Sequence, residues 1–268
     1  MRTENLEKDN AMNLLKKCVA VLALVPFIAL ACPEPEVPLD VAPDRAQDLA
    51  ALQRGAKTFV NYCLGCHAAS SMRYNRLRDI GLDEATVKAN LLFTSEKVGD
   101  VMSIPMQPKD AKAWFGTTPP DLSVIARSEA TEEGNGRDWL YTYLRGFYKD
   151  DSRPTGWNNI VCKNVAMPHV FWELQGTQKM VLSKPVAEEG KEASNEEGKF
   201  DHFELVTPGK MSKLEYDTTV ADLVAYLQWQ SEPTAQLRRQ LGVWVVMFLA
   251  VLAFLAWRLN ASYWKEVK

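Results

Sequence analysis

This sequence is short of basic excess, of strand-like alternation and of histidine, and each shortage removes a class of function. Thirty-one Lys and Arg residues face 34 Asp and Glu for a formal net charge of −3, so no general cationic surplus exists to recruit nucleic acid. Electrostatic roles must come from local patches. Alternating apolar and polar residues are scarce, confined to pieces such as "FELVTP" at 203–208, which leaves a mainly α domain and removes the βαβ setting of a thioredoxin-like redox pair. There are three histidines and five cysteines, with no second Cys or His pair at matching spacing, so the four ligands of a structural zinc are not assembled. No internal repeat is present.

What is there begins with two long apolar runs. Met12-Asn-Leu-Leu-Lys-Lys followed by "CVAVLALVPFIALAC" reads as a secretory signal, with Ala29-Leu30-Ala31 as the small-residue cleavage site and Cys32 as the first mature residue. Residues 1–31 are assigned to this signal region, with Met12 as the expected start; the run is short and breaks at Pro26, which favours a cleaved signal over the alternative of an uncleaved membrane anchor. The second run, Leu241 to Trp257, carries no charge and is bracketed by Arg238-Arg239 and Arg258. At about 1.5 Å per residue it covers roughly 26 Å, enough to cross a thin bilayer core. A transmembrane anchor is therefore expected over 237–259. The signal sets its orientation: residues 32–236 are exported to the periplasm, and the tail 260–268 stays in the cytoplasm.

Within the exported part, "RAQDLAALQRGAKTFVNYC" (45–63) places Leu49, Leu52, Ala56, Phe59 and Val60 at helical spacing, with Asp44 as the expected cap. Further helices are expected at "GRDWLYTYLRGFY" (136–148) and "TTVADLVAYLQWQSEP" (218–233), the latter ended by Pro233; "GTTPPDLS" (116–123) reads as a turn. Residues 187–204 read as a hydrated acidic excursion, with docking of a basic partner as the alternative.

The first helix runs straight into Cys63-Leu-Gly-Cys66-His67. Two thiols separated by two residues can both reach the vinyl groups on one porphyrin edge, while the adjacent imidazole swings under the ring to bind iron. This is the pattern of covalent haem c attachment, and export agrees with it. The sixth ligand then decides function, since an open position binds small molecules whereas methionine makes an electron carrier of raised potential. Met72, Met102, Met106, Met167, Met180, Met211, His169 and His202 are the exported candidates. Met167 is favoured, because the following Pro168 holds it extended on a stiffened loop, and His169 is its main rival.

Taken together, "RGAKTFVNYCLGCH", "MRYNRL", "GTTPPDLS", "RDWLYTYLRGFY", "AMPHVFWEL" and "VADLVAYLQWQSEPTAQLRR", in this order before a single C-terminal anchor, resemble the cytochrome c1 family of bacterial quinol:cytochrome c oxidoreductases (bc1 complexes). The resemblance spans about residue 52 to the C-terminus. It implies a mainly α c-type cytochrome domain with loop-rich insertions plus one transmembrane helix, one covalent haem c on Cys63 and Cys66, and His67 and Met167 as axial iron ligands. It further implies that a carbonyl in the Pro119-Pro120 turn, assigned to Pro120, accepts the proton of the other His67 nitrogen. Arg127 would face a haem propionate, although Glu129 holds the better aligned position. Gly55 and Phe59 would pack against Tyr226 and Leu227. The implied partners are cytochrome b, the Rieske iron-sulfur protein as donor and cytochrome c as acceptor, in a dimeric complex of the bacterial inner membrane. Some bacterial relatives contain a disulfide; here Cys162 has only Cys32 as a mate, and no bridge is expected. An independent anchored cytochrome c, or the haem subunit of a terminal oxidase, is the alternative.

Overall fold

In the computed structural model, which describes residues 37–130, 134–183 and 198–265, Asp48 starts the first helix. Its carboxylate accepts the Ala51 N–H at 3.1 Å, satisfying one of the orphan donors of α1 (Leu49–Tyr62). Asp44, expected in that role, instead accepts the Ala46 N–H at 3.3 Å and faces Arg137 at 3.5 Å. Ala51, Leu52, Gly55, Ala56, Phe59 and Val60 form the buried face, while Leu49 is exposed at the helix start.

After α1 come β1 (Ala69–Arg73), a 3-10 segment (Tyr74–Ile80), α2 (Glu84–Asn90), β2 (Val101–Met102), α3 (Pro108–Phe115) and α4 (Ile125–Ser128). They are followed by α5 (Gly136–Arg145), β3 (Phe147–Lys149), β4 (Trp157–Asn159), α6 (Trp172–Gln175), β5 (Gly176–Leu182), β6 (Phe200–Pro208), α7 (Lys213–Ser231) and α8 (Ala235–Tyr263). The strands make three antiparallel pairs, β1 with β2, β3 with β4, and β5 with β6, in which Gly176 stands opposite Pro208 and Leu182 opposite Phe200. The domain is mainly α, as expected, and "FELVTP" is strand. Part of the expected acidic loop is not a loop: residues 200–204 belong to β6. Residues 184–197, including Glu188, Glu189, Glu192, Glu196 and Glu197, lie outside the described residues, as does the signal region.

The core is the crossing of α1 over α7. A capping box between Ser212 and Glu215 starts α7, whose residues from Val220 to Leu227 are buried without a break. A Cβ on Gly55 would overlap the Asp222 carbonyl oxygen and lie 2.7 Å from Tyr226 Cβ, so only glycine lets the two backbones meet. One turn further on, Phe59 packs its ring on Tyr226 at 5.5 Å between centroids. The buried Asp222 carboxylate is held by Arg45 at 2.7 Å and Arg54 at 2.6 Å, which fixes the segment before α1 as well as the helix itself. The Asp40 and Ala42 N–H groups donate to Thr142 and Asp138 on α5, both at 2.8 Å.

Cys162 corrects one expectation, because it is disulfide-bonded. Pro233 separates α7 from α8. The latter has 29 residues with a mean hydropathy of 2.2 over its most apolar window and none of that window buried, which makes it long and apolar enough to cross a membrane.

Candidate haem site

The end of α1 builds the attachment turn. The Cys63 N–H still donates to Phe59 at 2.9 Å, and the Cys66 and His67 N–H groups then both turn back to the Cys63 carbonyl, at 3.0 and 2.9 Å. This fold-back closes one turn with two thiols and an imidazole on it. Cys63 is buried and Cys66 half-buried, and neither is in a disulfide.

His67 is oriented by the turn named in the sequence. Its Nδ1 lies 2.8 Å from the Pro120 carbonyl oxygen, which can only accept, so Nδ1 carries the proton and Nε2 keeps its lone pair for a metal. Burial draws the imidazole below its usual value, with the Pro120 hydrogen bond and the Asp121 charge opposing, and the ring remains neutral and able to ligate. The Pro120 carbonyl is in turn held by a polar network that sequence reasoning missed. Asp121 accepts the Ser70 N–H at 2.8 Å, the Ser70 hydroxyl at 2.7 Å and the Ser123 N–H at 2.8 Å, and the Ser123 hydroxyl accepts the Ser71 N–H at 2.9 Å. The Leu122 N–H reaches the Ala68 carbonyl at 2.8 Å, and the Gln230 amide donates to the Leu122 carbonyl at 2.9 Å. The segment just after His67 and the proline turn are thereby stitched together. The one local signal was Asp-x-Ser after the prolines, an Asx-turn pattern.

Burial alone would raise the Asp121 carboxyl, but the hydrogen bonds from Ser123 and Ser70 override it and hold it below the ordinary carboxylate value. A carboxyl depressed in the folded state contributes stability that is complete above its unfolded pKa and lost as pH falls through its folded one. In Asp121→Asn, stability at neutral pH is expected to drop by about 1 kcal/mol, the size of a lost capping carboxylate. Its acid unfolding below about pH 4, followed by the Soret band, should then vary less with pH than the parent's. Superimposable acid limbs would count against this role.

Met167 lies on the loop after β4. Asn164 adopts a left-handed conformation (φ 63°), with its N–H on the Asn158 side chain at 2.8 Å and its carbonyl and side chain on the Arg153 guanidinium at 2.8 and 3.2 Å. Asn159 accepts the Val161 and Cys162 N–H groups at 2.9 and 3.3 Å and donates to the Tyr143 carbonyl at 2.8 Å. From this braced loop Met167 presents a half-buried thioether, and the Tyr143 hydroxyl donates to its sulfur at 3.5 Å.

The other candidates have other surroundings. His169, its main rival, is only 2% exposed, stacked on Phe147 at 4.9 Å and meeting the edge of Trp157 at 5.0 Å, and burial lowers it to about 4. Met72 and Met102 are buried on β1 and β2, with Met102 accepting the Tyr226 hydroxyl at 3.8 Å. Met211 accepts from Thr219 at 3.6 Å. His202 is exposed on β6 beside Asp201 at 2.9 Å. Arg127 is exposed and lies 3.3 Å from Glu232, while Glu129 is half-buried and raised by that burial.

The match to known proteins agrees with this geometry. The model of the family described as "Cytochrome C1 family" matches residues 43–267. A relative from Nitrosomonas europaea, called ammonia monooxygenase gamma subunit, is 44% identical over 256 residues, covering 96% of this chain and 100% of its own length. Cytochrome c1 of Allochromatium vinosum is 44% identical over 222 residues, covering 82% of this chain and 86% of the relative. Cytochrome c1 of Rhodospirillum rubrum is 27% identical over 254 residues, covering 82% and 83%.

Proposed function

Because this chain belongs to the cytochrome c1 family, and so carries covalently attached haem c as an electron-transfer subunit of a bc1 complex, we propose that Cys63, Cys66, His67 and Met167 are the residues that hold the group. Haem c supplies a one-electron Fe(III)/Fe(II) couple. The Cys63 and Cys66 sulfurs would hold it covalently, and His67 Nε2 and Met167 Sδ would ligate its iron. The observation that carries this reading is the His67 Nδ1 to Pro120 contact at 2.8 Å, which aims the free nitrogen away from the turn and fixes its tautomer. Arg127, which pairs with Glu232 at 3.3 Å, is the cation proposed to face a propionate.

Held by the Pro120 contact on one hand and the Tyr143 and Asn159 contacts on the other, His67 and Met167 would let the group change its charge with little rearrangement of the protein. No substrate bond is made at this centre, and the chain is catalytic only as part of a quinol:cytochrome c reductase. The electron is proposed to arrive from the Rieske iron-sulfur protein and leave to a cytochrome c, with α8 beside cytochrome b in a dimeric complex. Residues 32–236 are placed in the periplasm, the span at 237–259 in the inner membrane and the tail 260–268 in the cytoplasm. The monooxygenase name of the Nitrosomonas europaea relative is not carried over, since the family match and the Allochromatium vinosum relative both agree with an electron carrier.

Purification in mild detergent tests the assignment. A b-type haem and a Rieske centre should co-purify with this chain, and a pyridine haemochrome spectrum should count both haem types. Isolation with c-type haem alone would favour an independent anchored cytochrome.

A further inference from the structure

We infer that Tyr143 is a positioning residue for Met167, whose sulfur it holds and polarises through a hydrogen bond so that the reduced haem is favoured. The inference rests on the proposed ligation by Met167. Tyr143 lies on the buried face of α5, 8% exposed, with its ring stacked on Trp139 at 4.7 Å and 12° and meeting the edge of Phe147 at 5.2 Å. Phenylalanine would fill that aromatic cluster equally well, so the hydroxyl needs a reason of its own. Its partner is the Met167 sulfur at 3.5 Å. A buried hydroxyl without a partner is unfavourable, so the pair holds the thioether in one place as well as being held by it. Asn159 reinforces the arrangement from behind, since it bonds the Tyr143 carbonyl and also the N–H groups of Val161 and Cys162 in the loop that leads to Met167.

The electronic consequence follows from counting lone pairs. A thioether sulfur has two, and donation to iron uses one. The other accepts the phenolic proton, which draws electron density from sulfur and makes it a weaker donor. Ferric iron depends on that donation more than ferrous iron does, so the hydrogen bond moves the equilibrium toward the reduced state. The established chemistry is unchanged; Tyr143 sets how readily the electron is accepted.

The test is redox titration of the α-band in the intact complex carrying Tyr143→Phe, which removes one oxygen and keeps the stacked ring. The Fe(III)/Fe(II) ratio at a given potential is expected to rise about fivefold, equivalent to a fall of about 40 mV at 59 mV per tenfold change. The spectrum should stay low-spin and insensitive to carbon monoxide. A low-spin variant titrating at the parent's potential would overturn the role of the hydroxyl while leaving the ligation intact. Failure of the ligation itself would show differently, as a Met167→Ala protein that keeps the parent's spectrum. Should Tyr143→Phe not accumulate, 3-fluorotyrosine at position 143 keeps the ring and strengthens the donor. Its potential should rise, and no change would overturn the inference.

Discussion

In Met167→Ala the reduced protein is expected to bind carbon monoxide at neutral pH and to lose its six-coordinate low-spin spectrum. The reason lies in how little else can reach the vacated position. Met102 is buried and engaged by Tyr226, Met72 is buried on β1, and Met211 is engaged by Thr219. His169 is nearest in sequence, but its ring is packed between Phe147 and Trp157, and extracting it would open the core around β3 and β4. The loop itself is not free to improvise: Asn164 is fixed by Asn158 and Arg153, and Pro168 restricts the residue before it. The midpoint potential should fall on the order of 100–200 mV, a fraction of the ~0.8 V that axial ligands span. A variant that keeps both spectrum and potential would return the sixth ligand to another residue.

The second large effect is on the fold. Gly55→Ala adds one methyl group where the Asp222 carbonyl and Tyr226 already stand, and both belong to α7, whose buried run cannot move without opening the domain. Overpacking of this kind costs about 3 kcal/mol. For a domain of this size that is a fall of roughly 6–12 °C in Tm. Because the Cys63 turn is the direct continuation of α1, less haem-loaded protein should also accumulate. Thermal melts followed at the Soret band measure the shift. Gly99→Ala is the control, since an added Cβ there meets nothing within 4 Å, and its Tm should match the parent's. Equal melting of the two variants would show that the helices part easily at Gly55.

Gly55 was legible in the sequence for the same reason that it matters. Helical periodicity exposed the faces of α1, α5 and α7, and the resemblance supplied the crossing. The attachment turn was legible because Cys63, Cys66 and His67 are adjacent in the chain and their chemistry depends on that adjacency. What stayed hidden was built from residues far apart. Asp121 meets Ser70 across 51 positions and Tyr143 meets Met167 across 24, and neither pair leaves a local mark. His169 looked like a ligand or a loop residue, because nothing near it announces Phe147 as its stacking partner. The strands β1 to β4 have two to five residues each, too few for alternation to stand out, and β3 merely continues the buried run of α5. Asp44 misled because Pro43-Asp44 resembles a helix start, while the chain takes a further turn before Asp48 caps α1.

The break at Pro233 is braced from both sides. Glu232 reaches Arg127 at 3.3 Å and Arg238 in the first turn of α8 at 3.0 Å, and Gln47, just ahead of α1, donates to Gln236 at 2.6 Å. The haem domain is thus mounted on its anchor as on a bracket rather than a leash. A tilt of α8 is therefore carried into the domain as a whole, because the joint at Pro233 is held by side chains from both of its neighbouring helices.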